Sequence, residues 1–140
     1  MNDAALMLLY AAAKLVAYGL WCAVGLNLLS RATNVSASIR FGAIRWVIGL
    51  FVGIFLFFAI GPIDADAAAR TYVLVYTPVR AVEWGVMAFL IARGVDRGSP
   101  AGLVVRLSIW CAGGIFVSFL TDLLSPEGLQ GRFCVGRCLC

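Results

Sequence analysis

Residues 72–91 read Tyr72-Val-Leu-Val-Tyr76-Thr-Pro78-Val-Arg80-Ala-Val-Glu83-Trp84-Gly-Val-Met-Ala-Phe-Leu-Ile91. A membrane helix needs about 20 mostly apolar residues, and this stretch supplies them. Yet Arg80 and Glu83 stand near its middle. A charge at the bilayer centre costs roughly 2.5–3.5 kcal/mol on insertion scales. The remainder of the chain must therefore shelter these two side chains.

The composition agrees with a membrane setting. Of 140 residues, 63% are hydrophobic and 13% charged. Soluble domains carry about 25% charged residues. A soluble fold of this size would leave large apolar patches, whereas lipid is a fitting solvent for an apolar exterior. The expected architecture is all-α: a single transmembrane domain over residues 1–140, with four helices in an up-down bundle. The apolar segments place those helices near residues 4–29, 41–60, 71–92 and 103–124, followed by a cysteine-containing tail over 125–140. The first segment reads as a permanent helix rather than a secretory signal, because its apolar run is long and Asp3 is its first charge.

The net charge of +4 comes from basic residues scattered near the segment ends, with no run that would form a nucleic-acid patch. They read instead as topology signals. Arg31, Arg40, Arg45, Arg93, Arg97 and Arg106 flank one side, against Arg70, Arg132 and Arg137 on the other. By the positive-inside rule the larger group faces the cytoplasm, so both termini are expected outside it. The expected location is a bacterial inner membrane, crossed several times. Histidine is absent, which removes the commonest metal ligand and the usual axial ligand of haem. No metal or cofactor is expected beyond a bound lipid or another anionic ligand.

Helical neighbours lie three or four residues apart. Tyr72, Tyr76, Arg80 and Glu83 follow that spacing in the third segment, and Tyr10, Lys14 and Tyr18 follow it in the first. Both segments cross in the same direction, so Lys14, Arg80 and Glu83 reach similar depth. Lys14 is expected to meet Glu83. Two cations against one carboxylate leave a surplus positive charge, and a buried unpaired cation is costly. A neutral Lys14, a side chain reaching toward the interface, or an anionic guest would each settle it. The plain alternative to a functional site is a polar knot that fixes helix register. Asp122 reads as an interfacial carboxylate level with Arg70.

Pro78 predicts a kink beside Arg80. Gly49 and Gly53, and Gly114 and Ser118 next to Gly113, have the spacing that lets helices approach closely; the same spacing relates Ala13 and Ala17. These seams are expected to pack within the bundle. Cys22 and Cys111 read as small apolar residues. Cys134, Cys138 and Cys140 crowd the tail, where an extracytoplasmic setting would permit a disulfide.

No phosphate-cradling loop, metalloprotease motif or nucleophile–base pair appears in the sequence. The expected function is therefore non-enzymatic: a subunit or accessory of a membrane protein complex, with a polar site between the first and third helices. Its partners would be membrane lipids and other membrane subunits or further copies of the chain, with no nucleic acid. The competing expectation is a small transporter or channel in which Glu83 carries a proton or cation and Arg80 and Lys14 handle an anion.

Overall fold

The computed structural model describes residues 3–28, 34–60, 68–93 and 100–125. They form four helices: α1 (Asp3–Leu28), α2 (Val35–Ile60), α3 (Ala68–Ala92) and α4 (Pro100–Leu123). Each is long and apolar enough to cross a membrane. The cysteines at 134, 138 and 140 lie outside the described residues.

The largest departure from the expected boundaries is at α2, which begins six residues earlier than residue 41. Asn34 explains it. Its side-chain oxygen accepts the Ser36 N–H at 3.0 Å, and its carbonyl accepts the Ser38 N–H at 3.0 Å and the Ser38 hydroxyl at 3.3 Å. A side-chain acceptor at this position satisfies amides that a helix start leaves unpaired. Hydropathy hides this turn because Ser36, Ser38 and Arg40 are polar. At α4, Pro100 occupies the first position, where its missing N–H costs nothing.

The inward stripe of each helix is spaced by three or four residues. On α1 it is Tyr10, Lys14, Tyr18, Cys22 and Leu26; on α3 it includes Tyr72, Tyr76, Arg80, Trp84, Ala88 and Ile91. The outward faces carry large apolar side chains such as Leu20, Phe51, Phe55, Val82 and Phe116, which suit contact with acyl chains. α3 stays helical through Pro78. Pro78 lies on the exposed face while Arg80 is buried, so the two residues serve opposite sides of the helix.

Two apolar clusters fill the interior. One gathers Tyr18, Cys22, Leu26, Trp84, Met87, Ile91 and Trp110. The other gathers Leu56, Tyr72 and Tyr76, with Phe119 against them. Small residues permit this packing. A Cβ on Gly42 would lie 2.7 Å from the Gly19 backbone, so α1 and α2 touch main chain to main chain there. Contacts between α1 and α4 run in opposite order: Lys14 meets Asp122, Trp21 meets Trp110, and Leu28 meets Arg106.

Candidate functional site

Between the two apolar clusters lies a network of five buried charged side chains drawn from all four helices: Lys14, Arg45, Arg80, Glu83 and Asp122. Arg80 is its hub. One guanidinium nitrogen donates to Glu83 Oε2 at 3.1 Å, three residues along the same helix, and another donates to Asp122 Oδ2 at 2.9 Å. Glu83 Oε2 also accepts from Arg45 Nη2 at 2.6 Å. Asp122 Oδ1 accepts from Lys14 Nζ at 2.6 Å and from the Tyr10 hydroxyl at 3.0 Å, while the Tyr72 hydroxyl donates to Oδ2. Charge-assisted bonds of this kind are about twice as strong as neutral ones.

Aromatic rings line the cations. The Arg45 guanidinium carbon lies 4.9 Å from the Tyr18 ring centre and 5.0 Å from that of Trp84. Arg80 lies 5.5 Å from the Tyr76 ring and Lys14 4.9 Å from the Tyr10 ring. Ring faces attract cations most strongly where water is excluded. Ser118 anchors the deep end. Its hydroxyl accepts from Trp84 Nε1 at 3.0 Å and from Arg45 Nη2 at 3.5 Å, and donates to the Gly114 carbonyl at 2.9 Å.

The structure brings Lys14, Arg80 and Glu83 into one network, with two changes of partner and two further members. Lys14 pairs with Asp122 rather than with Glu83. Asp122 is 4% exposed and belongs to the network; Arg70, its expected interfacial partner, is exposed. Arg45 is not a loop cation: it is wholly buried, ten residues into α2, and occupies the place beside Glu83 that Lys14 was expected to take. Matching the depths of α1 and α3 alone brings in neither a cation from α2 nor a carboxylate from α4.

Both missing members had a readable signal. Gly114, Ser118 and Asp122 follow one another at four-residue intervals, as do Ser38 and Gly42, with Arg45 three further on. Such stripes mark one helix face. Of the other singled-out residues, Tyr10, Tyr18, Tyr72 and Tyr76 all face the interior, Gly53 is buried, and Ala13 and Ala17 are half-buried. Gly113 and Gly114 abut the Trp21 and Trp84 rings, and Gly49 faces the network.

Three cations against two carboxylates leave one surplus positive charge, Lys14, Arg45 and Arg80 standing against Glu83 and Asp122. Not every polar atom is satisfied. Arg45 Nε and Nη1, Arg80 Nε and Glu83 Oε1 are buried without a hydrogen-bond partner among the described residues. No group of three or more His, Cys, Asp or Glu side chains fit to hold a metal ion occurs among the described residues.

No family model, curated protein or solved structure matches the chain. The functional reading therefore rests on the residues themselves.

Proposed function

We propose that this chain is an accessory subunit of a membrane protein assembly, held in an up-down bundle in a bacterial inner membrane with both termini outside the cytoplasm. The opposed contact order of α1 and α4 supports that topology. Moving Arg45 out of the topology count still leaves five basic residues against three, which supports the orientation.

The observation that carries the subunit reading is a groove of about 450 Å³ on the outer surface between α1 and α2. Val16, Gly19, Leu20 and Ala23 line one side, and Ser38 and Ile39 the other. Small residues on a lipid-facing surface let a further helix approach closely. The polar network turns inward, so partners would meet an apolar, shaped face. A photo-crosslinking residue at position 20, in native membranes, should give a protein adduct of discrete mass. The same residue at position 116, on the exposed face of α4, should capture lipid. Lipid capture alone at both positions would remove the reading.

A transporter is the second reading, favoured by the unpartnered atoms of Arg45 and Glu83 inside the bundle. Purified protein in liposomes should then move protons or small anions, and Glu83→Gln should abolish the flux. A bilayer no leakier than protein-free vesicles would exclude it.

A further inference from the structure

A cavity of about 420 Å³ opens where the start of α2 passes the end of α3. It reaches down to Ile44, next to Arg45, whose 2.6 Å contact with Glu83 ties the two helices together. Phe41, Ile44 and Leu90, all half-buried, form its apolar walls. Asn34, Ser36 and Arg40, all exposed, form its polar mouth at the helix start.

The mouth is rich in donors. Asn34 Oδ1 already accepts the Ser36 N–H at 3.0 Å, so the amide nitrogen of Asn34 is left to donate. The Ser36 hydroxyl and the Arg40 guanidinium add further donors, and Arg40 stands in no ion pair among the described residues. Arg93, one turn past Leu90, is exposed and likewise pairs with no carboxylate among them; its guanidinium carbon lies 4.4 Å from the Phe89 ring centre. Arginine's forked donors match the oxygens of a phosphate group. The walls call for hydrocarbon instead. Asn34 and Ile44 are ten residues apart. At ~1.5 Å per residue that is about 15 Å, the depth of one leaflet in a ~30 Å hydrocarbon layer.

These features select among occupants. Inorganic phosphate satisfies the mouth and leaves the apolar walls bare. A further protein helix approaches closely over small residues, whereas here Arg40 and Phe41 stand in the way. A zwitterionic lipid brings a cation of its own toward Arg40 and Arg93.

We propose that this groove binds one anionic phospholipid. Its phosphodiester oxygens accept from Arg40, Ser36 and Asn34, and an acyl chain lies along Phe41, Ile44 and Leu90. The inference does not depend on the subunit reading, because the groove lies between α2 and α3, away from the α1–α2 surface on which that reading rests.

The test is native mass spectrometry of the purified, delipidated full chain in a non-ionic detergent at physiological ionic strength. Phosphatidylglycerol and phosphatidylcholine with identical acyl chains are titrated separately, and the half-saturating concentration is read from the lipid-bound peak. Phosphatidylglycerol should saturate at one copy per chain and bind about tenfold or more tightly than phosphatidylcholine. Arg40→Gln should weaken phosphatidylglycerol about tenfold. Arg106→Gln removes the same charge at the same end of the bundle but outside the groove, and should change binding less than about twofold, because exposed charges are screened. Ala37→Leu narrows the groove while keeping every charge, and should also weaken binding. The two arginine variants, both at exposed positions, decide the question if Ala37→Leu fails to fold. Equal retention of the two lipids would overturn the proposal, as would equal losses in Arg40→Gln and Arg106→Gln or an unaffected, folded Ala37→Leu chain. Displacement of the lipid by millimolar inorganic phosphate would overturn it too, by showing that the mouth alone is the site.

Discussion

Trp21 and Trp110 exchange hydrogen bonds: the Trp21 indole N–H donates to the Trp110 carbonyl at 3.1 Å, and the Trp110 indole N–H donates to the Trp21 carbonyl at 2.9 Å. This reciprocal clasp joins α1 to α4 by neutral groups. Lys14 and Asp122 join the same two helices by charge, nearer the start of α1 and the end of α4. Two unlike attachments at two heights fix both the register and the rotation of the pair.

The clasp yields the first prediction. Trp21→Phe removes one indole donor from a half-buried ring and should cost about 0.5–1.5 kcal/mol. Trp110→Phe should cost more. That ring is 2% exposed and meets Trp84 edge-on at 5.1 Å, so packing is lost along with the donor. Denaturant titration in mixed micelles reads both values. A Trp21→Phe loss equal to that of Trp110→Phe would mean that the two indoles are not packed as unequally as their burial indicates.

Asp122 separates a network role from an interfacial one. Asp122→Asn leaves Lys14 and Arg80 facing a neutral amide, and breaking one partner out of a buried pair costs about 3–5 kcal/mol. Arg70→Ala removes an exposed charge and should change stability by less than about 0.5 kcal/mol. The same unfolding assay compares them. Similar small losses for both would return Asp122 to the membrane surface.

Arg45 and Glu83 test whether the ion pair or its isolated halves govern stability. Arg45→Met alone leaves Glu83 with Arg80, and Glu83→Gln alone leaves two guanidinium groups around a neutral amide. Each single change should destabilise by several kcal/mol, while the double change should fall short of their sum by at least about 1 kcal/mol. A strictly additive cycle would show that the 2.6 Å contact couples nothing.

The helices and the cluster were legible to different degrees, for physical reasons. Hydropathy locates a membrane helix because lipid demands a continuous apolar run, so all four segments could be read directly. It fails at Asn34, where a polar turn extends α2, because a cap acts through one hydrogen bond and not through average polarity. Lys14, Arg80 and Glu83 stood out as charges inside apolar runs. Arg45 and Asp122 lay close enough to segment ends to pass for interfacial residues, and only the packing of four helices shows them to be interior. Partner choice within the cluster was beyond reach for the same reason. Lys14 has two carboxylates at comparable depth, and helix rotation decides between them.

Gly114 gives the last prediction, because there packing and helix propensity oppose each other. In an exposed helix interior Gly→Ala gains up to about 1 kcal/mol. Gly85→Ala should show part of that gain, since its Cβ meets open space. Gly114→Ala brings a Cβ to within 2.4–2.7 Å of three Trp84 ring atoms. Trp84 cannot retreat freely: its indole donates to Ser118, its ring meets Trp110 edge-on, and Arg45 lies over its face. Overpacking of this kind costs about 1–3 kcal/mol, which should outweigh the propensity gain. The displaced ring would also disturb the α3 backbone, whose Trp84 carbonyl accepts the Cys111 thiol at 3.5 Å. Gly114→Ala should therefore lower stability and raise the rate at which a maleimide modifies Cys111, as located by peptide mass spectrometry. A stabilised Gly114→Ala chain with unchanged Cys111 labelling would mean that α3 and α4 are less closely packed at Trp84 than these distances require.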